Sequence, residues 1–212
     1  PKIDEMVNQM AQYYGVYSSI DVTTAYHQIP LSPEDRPYTA YEAGGKLYQF
    51  CRMPFGITNG VSSFQRKMDE IIDNNIKDTF VYLDNVHICW RDLEEHNVNL
   101  AKFKAVAAEH NLTINERKSI YGVKAIDVVG YHIENGTVSP DPERLRPLLE
   151  LPIPHDVKSL YRVIGIFAYY SKWIKQFSDK IRPLNKAETF PLSEDAISAF
   201  NNLKQELANI TL

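Results

Sequence analysis

The sequence predicts a mixed α/β domain, in an α+β arrangement, followed by an all-helical segment. Two observations support this division. Residues 1–139 combine short strand-like runs with stretches of helical periodicity, whereas five prolines between residues 140 and 154 punctuate a connector around one short helix. The residues after this connector have helical patterns alone. We therefore place a boundary near residue 140.

Several elements of the first part have clear signals. Residues 16–21 form a strand-like run, and residues 38–42 and 46–52 flank Gly44-Gly45 as a hairpin. Residues 61–76 place Phe64, Met68, Ile71, Ile72 and Ile76 on one helical face. Residues 80–83 and 86–89 are two short strands around Asp84-Asn85. Asp92 resembles an N-cap with Glu95 completing a capping box, and we expect its helix to reach His110.

The later elements are predicted in the same way. Asn135-Gly136 lies between residues 128–133 and 137–139 and is a strong hairpin signal. Asp156 is expected to cap a helix ending near residue 168. Residues 169–177 and 178–184 are predicted as two further helices, and residues 193–208 as a final amphipathic helix.

Composition excludes several classes of protein. With 44% hydrophobic and 24% charged residues among 212, the chain has the composition of a globular protein. No apolar run approaches the roughly 18 residues that a membrane span needs. Two cysteines, Cys51 and Cys89, do not make a disulfide framework, which favours a reducing, intracellular setting. Because the first residue is Pro1 and not Met, we expect the chain to be part of a longer polypeptide.

Charge is distributed unevenly along the chain. The net charge of -4 lacks the basic excess usual for nucleic-acid binding. Residues 156–186, however, contain seven lysines and arginines against two aspartates. Such a segment can hold a phosphate backbone, but it can equally be a solvated helix surface. Charge alone leaves both interpretations open.

Two acidic motifs carry the chemical signal. Asp21 directly follows a strand, and Asp84 lies at the turn of the hairpin Tyr82-Leu83-Asp84-Asn85. If their strands share a sheet, the two carboxylates can lie side by side and hold two magnesium ions for phosphoryl transfer. Each motif alone is also explained by ordinary turn chemistry, since Asp and Asn favour such turns. His87, Cys89 and His96 fit no zinc spacing, and alternation places His87 and Cys89 on one face of a strand.

The order of many motifs is more specific than any one of them. They include residues 19–21, 26–29, 50–59, 64–69, 82–85, 112–118, 129–133, 141–143, 169–170, 173–174, 177–178 and 182–184. Together they resemble the reverse transcriptases of gypsy-type long-terminal-repeat retrotransposons, parts of a retroviral-like Pol polyprotein. The resemblance covers essentially the whole chain.

This resemblance implies a right-hand polymerase fold. Residues 1–139 would form partial fingers and the palm, residues 140–186 a helical thumb, and residues 187–212 the start of a connection toward a ribonuclease H domain. The implied activity is that of an RNA-directed DNA polymerase, a nucleotidyltransferase that adds deoxynucleotides to a primer 3′ end. It would use two Mg²⁺ ions, for which Mn²⁺ could substitute.

The resemblance also implies roles for the catalytic residues. Asp21 would bind both metal ions, and Asp84 would bind the catalytic one. Val22 would contribute its backbone, and Asn85 a neutral oxygen. Lys118 would approach the leaving pyrophosphate as a cation or proton donor.

The implied nucleotide pocket contains Thr24, Ala25, Tyr26, Phe55 and Gly56. The Tyr26 ring would lie under the incoming sugar and exclude a 2′-hydroxyl by steric clash. Phe55 and Gly56 would line the pocket near the template base.

The implied partners are an RNA or DNA template with an annealed primer, and deoxynucleoside triphosphates, but no membrane. The residues implied in primer and template binding are Tyr82, Val129, Gly130, Tyr131, His132, Lys172 and Lys175. Ribonuclease H and integrase domains of the parent polyprotein are expected beyond this chain. A cytoplasmic location in a virus-like particle, with access to the nucleus, would follow.

Two departures from the family pattern support a rival interpretation. Most relatives have a second acidic residue where this chain has Asn85, and the basic finger residues upstream of Pro1 are absent from the chain. The rival is a transposon-derived nucleic-acid-binding protein, or a fragment, without catalytic activity. A nuclease with paired carboxylates is a third alternative, but it explains neither the pocket motif nor the hairpin at residues 129–132.

Overall fold

The computed structural model describes residues 2–13, 15–73, 76 and 78–210. The helices are α1 (Ile3–Ala11), α2 (Gly60–Asp73), α3 (Leu93–Glu109), α4 (Pro142–Leu149), α5 (Val157–Tyr169), α6 (Phe177–Asn185) and α7 (Glu194–Ile210), with short 3-10 helices at Ala25–Gln28, Arg36–Thr39 and Ser171–Trp173. The strands are β1 (Val16–Asp21), β2 (Tyr41–Ala43), β3 (Lys46–Tyr48), β4 (Thr79–Tyr82), β5 (Asn85–Trp90), β6 (Ile120–Val123), β7 (Ala125–Val128), β8 (Tyr131–Glu134) and β9 (Thr137–Pro140). No helix in these ranges is long and apolar enough to cross a membrane.

The chain divides into two compact units. The first contains Pro1–Ile126 and Glu134–Gly136, and the second contains Asp127–Ile133 and Thr137–Leu212. The division therefore falls near the start of the β7–β9 sheet. The assignment of fingers, palm, thumb and connection to particular residues stays a prediction.

A four-stranded sheet in the order β4-β5-β1-β6 forms the centre of the first unit. β1 is antiparallel to β5 over its whole length, from Val16 opposite Trp90 to Asp21 opposite Asn85. Since side chains alternate along a strand, Ile20 lies on the opposite face from Asp21. Ile20 is buried in one core with Phe64 of α2 and with Phe103 of α3. This packing leaves Asp21 on the other face, at the end of its strand.

Gly15 allows β1 to begin beside the end of β5. A Cβ at Gly15 would lie 2.1 Å from the Trp90 carbonyl oxygen and 2.6 Å from that of Arg91. No side chain fits at these distances. The entry to the central sheet therefore requires glycine here.

The second unit consists of a small sheet and a helical bundle. Its sheet has the order β7-β8-β9. Leu145, Phe167, Leu184 and Phe200, from α4, α5, α6 and α7, are buried in its core. The Asp156 side chain accepts a hydrogen bond from the Ser159 N–H, and the Ser159 hydroxyl accepts one from the Asp156 N–H, so α5 begins with a capping box.

Most predicted elements are confirmed, including the Gly44-Gly45 and Asn135-Gly136 hairpins and the caps at Asp92 and Asp156. At Asp92 only half of the predicted capping box is present. The Asp92 side chain accepts from the Glu95 N–H, but the Glu95 carboxylate accepts from the Trp90 indole. The helix predicted over residues 61–76 ends at Asp73, and Ile76 is buried beyond it. Residues 74, 75 and 77 lie outside the described part of the chain.

The helix predicted over residues 169–177 is wrong. The structure has only a 3-10 turn at Ser171–Trp173, and α6 begins at Phe177. Gln176 adopts a left-handed conformation with a φ of 53°, which cannot continue a right-handed helix. The Trp173 ring packs on Tyr170 and Tyr131, with centroid distances of 5.8 and 5.7 Å.

Candidate active site

Pairing of β1 with β5 brings the two acidic motifs together. Asp21 lies directly opposite Asn85, and the Val22 N–H donates to the Asp84 carbonyl oxygen at 2.8 Å. Directly opposed residues of an antiparallel pair have Cβ atoms about 4.5–5.5 Å apart. The sequence could not fix this register, but the structure places Asp21, Val22, Asp84 and Asn85 at one end of the sheet.

The turn that carries Asp84 is strained and supported from α2. Leu83 has a φ of 55°, a left-handed conformation that is costly for a residue with a Cβ. Gln65 steadies the turn, because its Oε1 accepts from the Leu83 N–H at 3.4 Å and its Nε2 donates to the Val81 carbonyl at 3.2 Å. Asp84 is exposed, and the Asn85 amide lies 3.5 Å from Asp84 Oδ1. Gln65 was not predicted as a site residue; it lies in the resemblance motif at residues 64–69 and has no signal of its own.

The oxygen donors at this strand end suit a hard divalent cation. Asp21 is half-buried and Asp84 is exposed, so both carboxylates can meet solvent and substrate. Among the described residues, no three acidic, histidine or cysteine side chains form a metal cage by themselves. Mg²⁺ is commonly bound by one or two carboxylates, with substrate phosphates and water supplying its other ligands. Asp21 and Asp84 therefore fit a Mg²⁺ site whose other ligands are phosphate oxygens and water.

Lys118 lies in a turn on the other side of Asp21. The Asn115 N–H donates to the Asp21 carbonyl at 2.8 Å, and the Asp21 N–H donates to the Ser119 hydroxyl at 3.1 Å. The Lys118 N–H donates to the Asn115 carbonyl at 3.2 Å, and its side chain is exposed. The structure thus places the predicted cation on a segment bonded to the predicted metal ligand.

The predicted nucleotide pocket is an aromatic cluster. The Tyr26 ring lies edge-on to Phe55 at 5.4 Å and packs against Phe64 at 5.5 Å. His27 contacts Phe55 as well, with centroids 4.7 Å apart. Phe55 is 63% exposed, so the cluster is open to solvent on one side. Gly56, beside it, has a φ of 85°, which favours glycine.

The segment between Asp21 and Tyr26 is fixed by Gln28. The Gln28 amide donates to the Thr23 carbonyl, and its Oε1 accepts from the Thr113 N–H at 2.7 Å. Thr24 has a φ of 44°, and Ala25 is buried. Sequence reasoning did not single out Gln28 as a site residue, since one glutamine in a loop carries no pattern.

The second unit contains all but one of the remaining predicted residues. Val129 and Gly130, with φ of 50° and 87°, form the two-residue turn between β7 and β8. Lys172 donates to the Tyr131 hydroxyl and lies 4.3 Å from the centre of its ring. His132 Nδ1 lies 2.7 Å from Asp127 Oδ1. Lys175 is exposed, and Tyr82, in the first unit, is half-buried opposite Asn85.

The histidines and the cysteine of β5 and α3 do not form one cluster. His87 lies opposite Ser19 and Cys89 opposite Tyr17, so both project from one face of the sheet, as predicted. His96 instead bonds Ser18, which projects from the other face, with an Nε2–Oγ distance of 2.7 Å. Burial lowers the pKa of His87 to about 4 and raises the pKa of the Cys89 thiol.

Comparison with known proteins identifies the family of this chain. The family described as "Reverse transcriptase (RNA-dependent DNA polymerase)" matches residues 1–133. The Retrovirus-related Pol polyprotein from transposon opus of Drosophila melanogaster is 31% identical over 209 residues, which are 91% of this chain and 21% of that protein. The corresponding polyprotein from transposon gypsy, of the same species, is 29% identical over 79% of this chain and 16% of that protein. The chain thus spans about a fifth of the length of these relatives.

Solved structures show the same fold. A foamy viral protease-reverse transcriptase in complex with double-stranded DNA has a TM-score of 0.81, at 19% identity over 95% of this chain and 37% of that one. The complex of that viral protein with an RNA/DNA hybrid has a TM-score of 0.79, at 20% identity over 95% of this chain and 28% of that one. The mixed α/β architecture is therefore that of a reverse transcriptase polymerase region. The chain belongs to the reverse transcriptase family, with the Pol polyproteins of gypsy-type retrotransposons as its relatives.

Proposed function

We propose that this chain is the polymerase core of an RNA-directed DNA polymerase, which extends a primer 3′ end with deoxynucleotides. One observation carries the proposal: the β1–β5 register places Asp21 opposite Asn85 and beside Asp84. Membership of the reverse transcriptase family supports it. Phosphoryl transfer depends mainly on positioning and charge neutralisation, which this arrangement can provide.

The carboxylates of Asp21 and Asp84, with the backbone of Val22, would hold Mg²⁺. When bound, Mg²⁺ would favour loss of the proton of the primer hydroxyl and would neutralise charge on the phosphates. Asn85 supplies a neutral oxygen, so the site has one negative charge fewer than an all-acidic turn. Lys118 would place its ammonium near the leaving pyrophosphate. The proposal requires no further residue to act as a general base.

The Tyr26 ring would determine which sugar is accepted. Its contacts with Phe55 and Phe64 restrict its movement. A ribose 2′-hydroxyl pressed against a restrained ring would clash, whereas deoxyribose would fit. We therefore propose deoxynucleoside triphosphates as the substrates.

One face of α5 has the features of a duplex-binding surface. Val157, Tyr161 and Tyr169, which are 54%, 70% and 55% exposed, and Gly165 recur at four-residue intervals. A glycine inside a helix costs up to about 1 kcal/mol relative to alanine. Yet among the described residues, no atom other than those of the glycine, its two chain neighbours and the adjoining backbone of α5 lies within 4 Å of the Cβ position at Gly165. Internal packing therefore does not require this glycine, and a closely approaching duplex would account for it.

Primer extension on poly(rA)–oligo(dT) tests the proposal. We expect the chain to extend the primer with Mg²⁺, and Asp21→Asn and Asp84→Asn to lower the rate at least about 100-fold while duplex binding persists. Asp35→Asn is the matched control. The Asp35 carboxylate accepts a hydrogen bond from the exposed Ser32 hydroxyl, at 2.8 Å, and an asparagine side-chain oxygen can accept the same bond. Titration with Mn²⁺, followed by electron paramagnetic resonance, should show weaker binding in the first two variants.

The rival is a binding protein without polymerase activity, and Asn85 is the observation that favours it. The same assay separates the two functions. If the chain binds the primed duplex but extends it no faster than Asp21→Asn does, with either metal, the binding function replaces the polymerase.

A further inference from the structure

The main chain of Asp21 is bonded on the side away from β5. Successive residues of an antiparallel strand turn their N–H and C=O groups toward opposite neighbours. Val22 donates to the Asp84 carbonyl, in the turn just before β5, and Asp21 bonds the segment 115–119 instead. Val22 thus ties the end of the strand to the β4–β5 turn, whereas Asp21 itself is held from the other side, where one of its partners is a side chain.

That side chain is Ser119, at the point where the β1–β6 pairing ends. The register shifts between Tyr17 and Ser19, and Ser19 opposite Ile120 is the last pair. At the next position along β1 that faces this way, the Ser119 hydroxyl accepts the Asp21 N–H at 3.1 Å. A hydroxyl therefore takes the place that a backbone carbonyl would have in a continuing ladder. Without it the Asp21 N–H would lose its acceptor.

The same hydroxyl closes the turn that contains Lys118. Ser119 Oγ donates to the Asn115 carbonyl at 2.8 Å. The N–H groups of Lys118 and Ser119 point at that carbonyl too, at 3.2 and 3.0 Å. The Asn115 N–H then returns to the Asp21 carbonyl at 2.8 Å. Asp21, Ser119 and Asn115 form a closed ring of hydrogen bonds. Lys118 lies in the turn between Asn115 and Ser119.

The geometry points to Ser119 as a positioning residue that couples Lys118 to Asp21. It touches neither nucleotide nor metal in this role; its hydroxyl fixes the backbone from which a metal-binding carboxylate and the pyrophosphate-side cation both project. The inference rests on the proposed function for the roles of Asp21 and Lys118. A displacement of about 1 Å in such groups can cost about 100-fold in rate.

The ring is tested first without reference to activity. Amide hydrogen exchange should show the Asp21 N–H exchanging at least about tenfold faster in Ser119→Ala, because its acceptor is gone. Ser119→Thr keeps the hydroxyl and should keep the protection. Ser119→Cys, nearly the same size but a weak acceptor, should lose it even if the alanine variant folds poorly. Ser32→Ala, which removes another serine hydroxyl of the same unit, should leave the Asp21 exchange rate unchanged.

Primer-extension kinetics test the coupling. Ser119→Ala and Ser119→Cys should lower kcat about 10- to 100-fold with the KM for the nucleotide within about threefold, and Ser119→Thr should restore most of kcat. In a Lys118→Ala background the loss from Ser119→Ala should be smaller than in the unsubstituted chain, since one of the two groups that Ser119 positions is absent. An undiminished loss in that background overturns the coupling.

The two experiments fail in different ways. If the unsubstituted chain does not extend primers, the proposed function fails, and hydrogen exchange still decides whether Ser119 holds Asp21. If primers are extended but Asp21 keeps its protection in both Ser119→Ala and Ser119→Cys, the positioning role is overturned and the proposed function stands.

Discussion

Tyr26 shows how much one side chain can depend on its neighbours. It is half-buried, with Phe55 and Phe64 against its ring. Edge-to-face contacts between rings are favourable in themselves, in addition to the apolar area that the rings bury. The restraint matters for function because steric exclusion works only if the excluding group cannot move aside.

Tyr26→Ala is therefore expected to lose sugar selectivity. The ratio of ribonucleotide to deoxynucleotide incorporation should rise at least about tenfold, since the ring that we propose excludes the 2′-hydroxyl is removed. Single-nucleotide extension with each substrate measures the ratio. Tyr38→Ala, at a tyrosine that is 90% exposed, serves as the control. An unchanged ratio in Tyr26→Ala would assign selectivity to another residue.

His96 makes the stability of the first unit dependent on pH. It is fully buried with Nε2 bonded to Ser18 Oγ, and burial lowers its pKa below the ordinary value of about 6.5. Above pH about 6.5 the histidine is neutral in both states and has no effect. As pH falls below that value, the unfolded chain gains the proton first, so the free energy of unfolding decreases toward the lowered folded-state pKa.

We expect His96→Gln to lose less stability than the unsubstituted chain between pH 7 and 5. Urea unfolding at several pH values measures the difference, and His87, whose burial lowers its pKa to about 4, contributes equally to both proteins. Parallel curves for the two proteins would show that His96 does not titrate between folded and unfolded states.

At the scale of elements, replacing Gly15 or Gly165 by alanine should change the free energy of unfolding in opposite directions. Gly15→Ala should lower the free energy of unfolding by about 1–3 kcal/mol or more, because its Cβ would overlap the backbone of Trp90 and Arg91. Gly165→Ala should raise it by about 0.5–1 kcal/mol, since α5 gains helix propensity and the Cβ meets nothing. Urea unfolding measures both.

Gly165→Ala should also weaken duplex binding although the protein becomes more stable. Fluorescence anisotropy with a labelled primer–template duplex measures the affinity. A variant that is stabilised and binds as before would contradict the proposed surface on α5.

The elements that sequence could predict are those set by local chemistry. Asn135-Gly136 suits a turn that needs positive φ, and Asp156 suits an N-cap, so both hairpin and helix were predictable. The strand predicted over residues 128–133 is wrong, because Val129-Gly130 is a turn; local preference did not indicate it, since a β-branched residue disfavours a φ of 50°, and only the family resemblance implied a hairpin there. The 3-10 turn at Ser171–Trp173 depends on ring packing around Trp173, which the sequence does not display.

The candidate site likewise has a part that the sequence predicted and a part that it did not. Asp21 and Asp84 were predictable as residue types in ordered motifs, but that they meet depends on the β1–β5 register. Register depends on which faces of the paired strands are buried and on the geometry of the turns, and neither of the two motifs shows this by itself. Ser119, Gln28 and Gln65 act through side-chain hydrogen bonds to backbone groups, and each reaches at least one partner on a distant segment of the chain. Such residues carry no periodicity or motif of their own.

At the scale of the whole molecule, charge is separated along the chain. The net charge is -4, yet residues 156–186 have a local excess of five positive charges. This arrangement can place cations on a duplex while acidic residues elsewhere hold metal ions. It also keeps the total charge away from the strongly basic values at which nucleic acid is bound indiscriminately.

Duplex binding should therefore weaken as salt increases. The logarithm of the association constant should fall linearly with the logarithm of salt concentration, with about 0.9 units of slope for each phosphate contacted. Lys175→Ala, at an exposed lysine of the basic segment, should reduce the slope by about one contact. Lys67→Ala is the control, because Lys67 pairs with Glu70 at 3.1 Å on α2. Equal slopes for both variants would remove Lys175 from the duplex interface.

The β2–β3 hairpin has a consequence for handling the protein. All six of its strand residues are exposed, and Tyr41 and Tyr48 stack across it with centroids 5.7 Å apart. A two-stranded hairpin without a covering layer is only marginally stable. Its tip should therefore open more readily than the buried sheet, and trypsin should cut first after Lys46. A nick at that position, made before the rest of the chain is digested, would mark the hairpin as the most protease-sensitive part of the first unit.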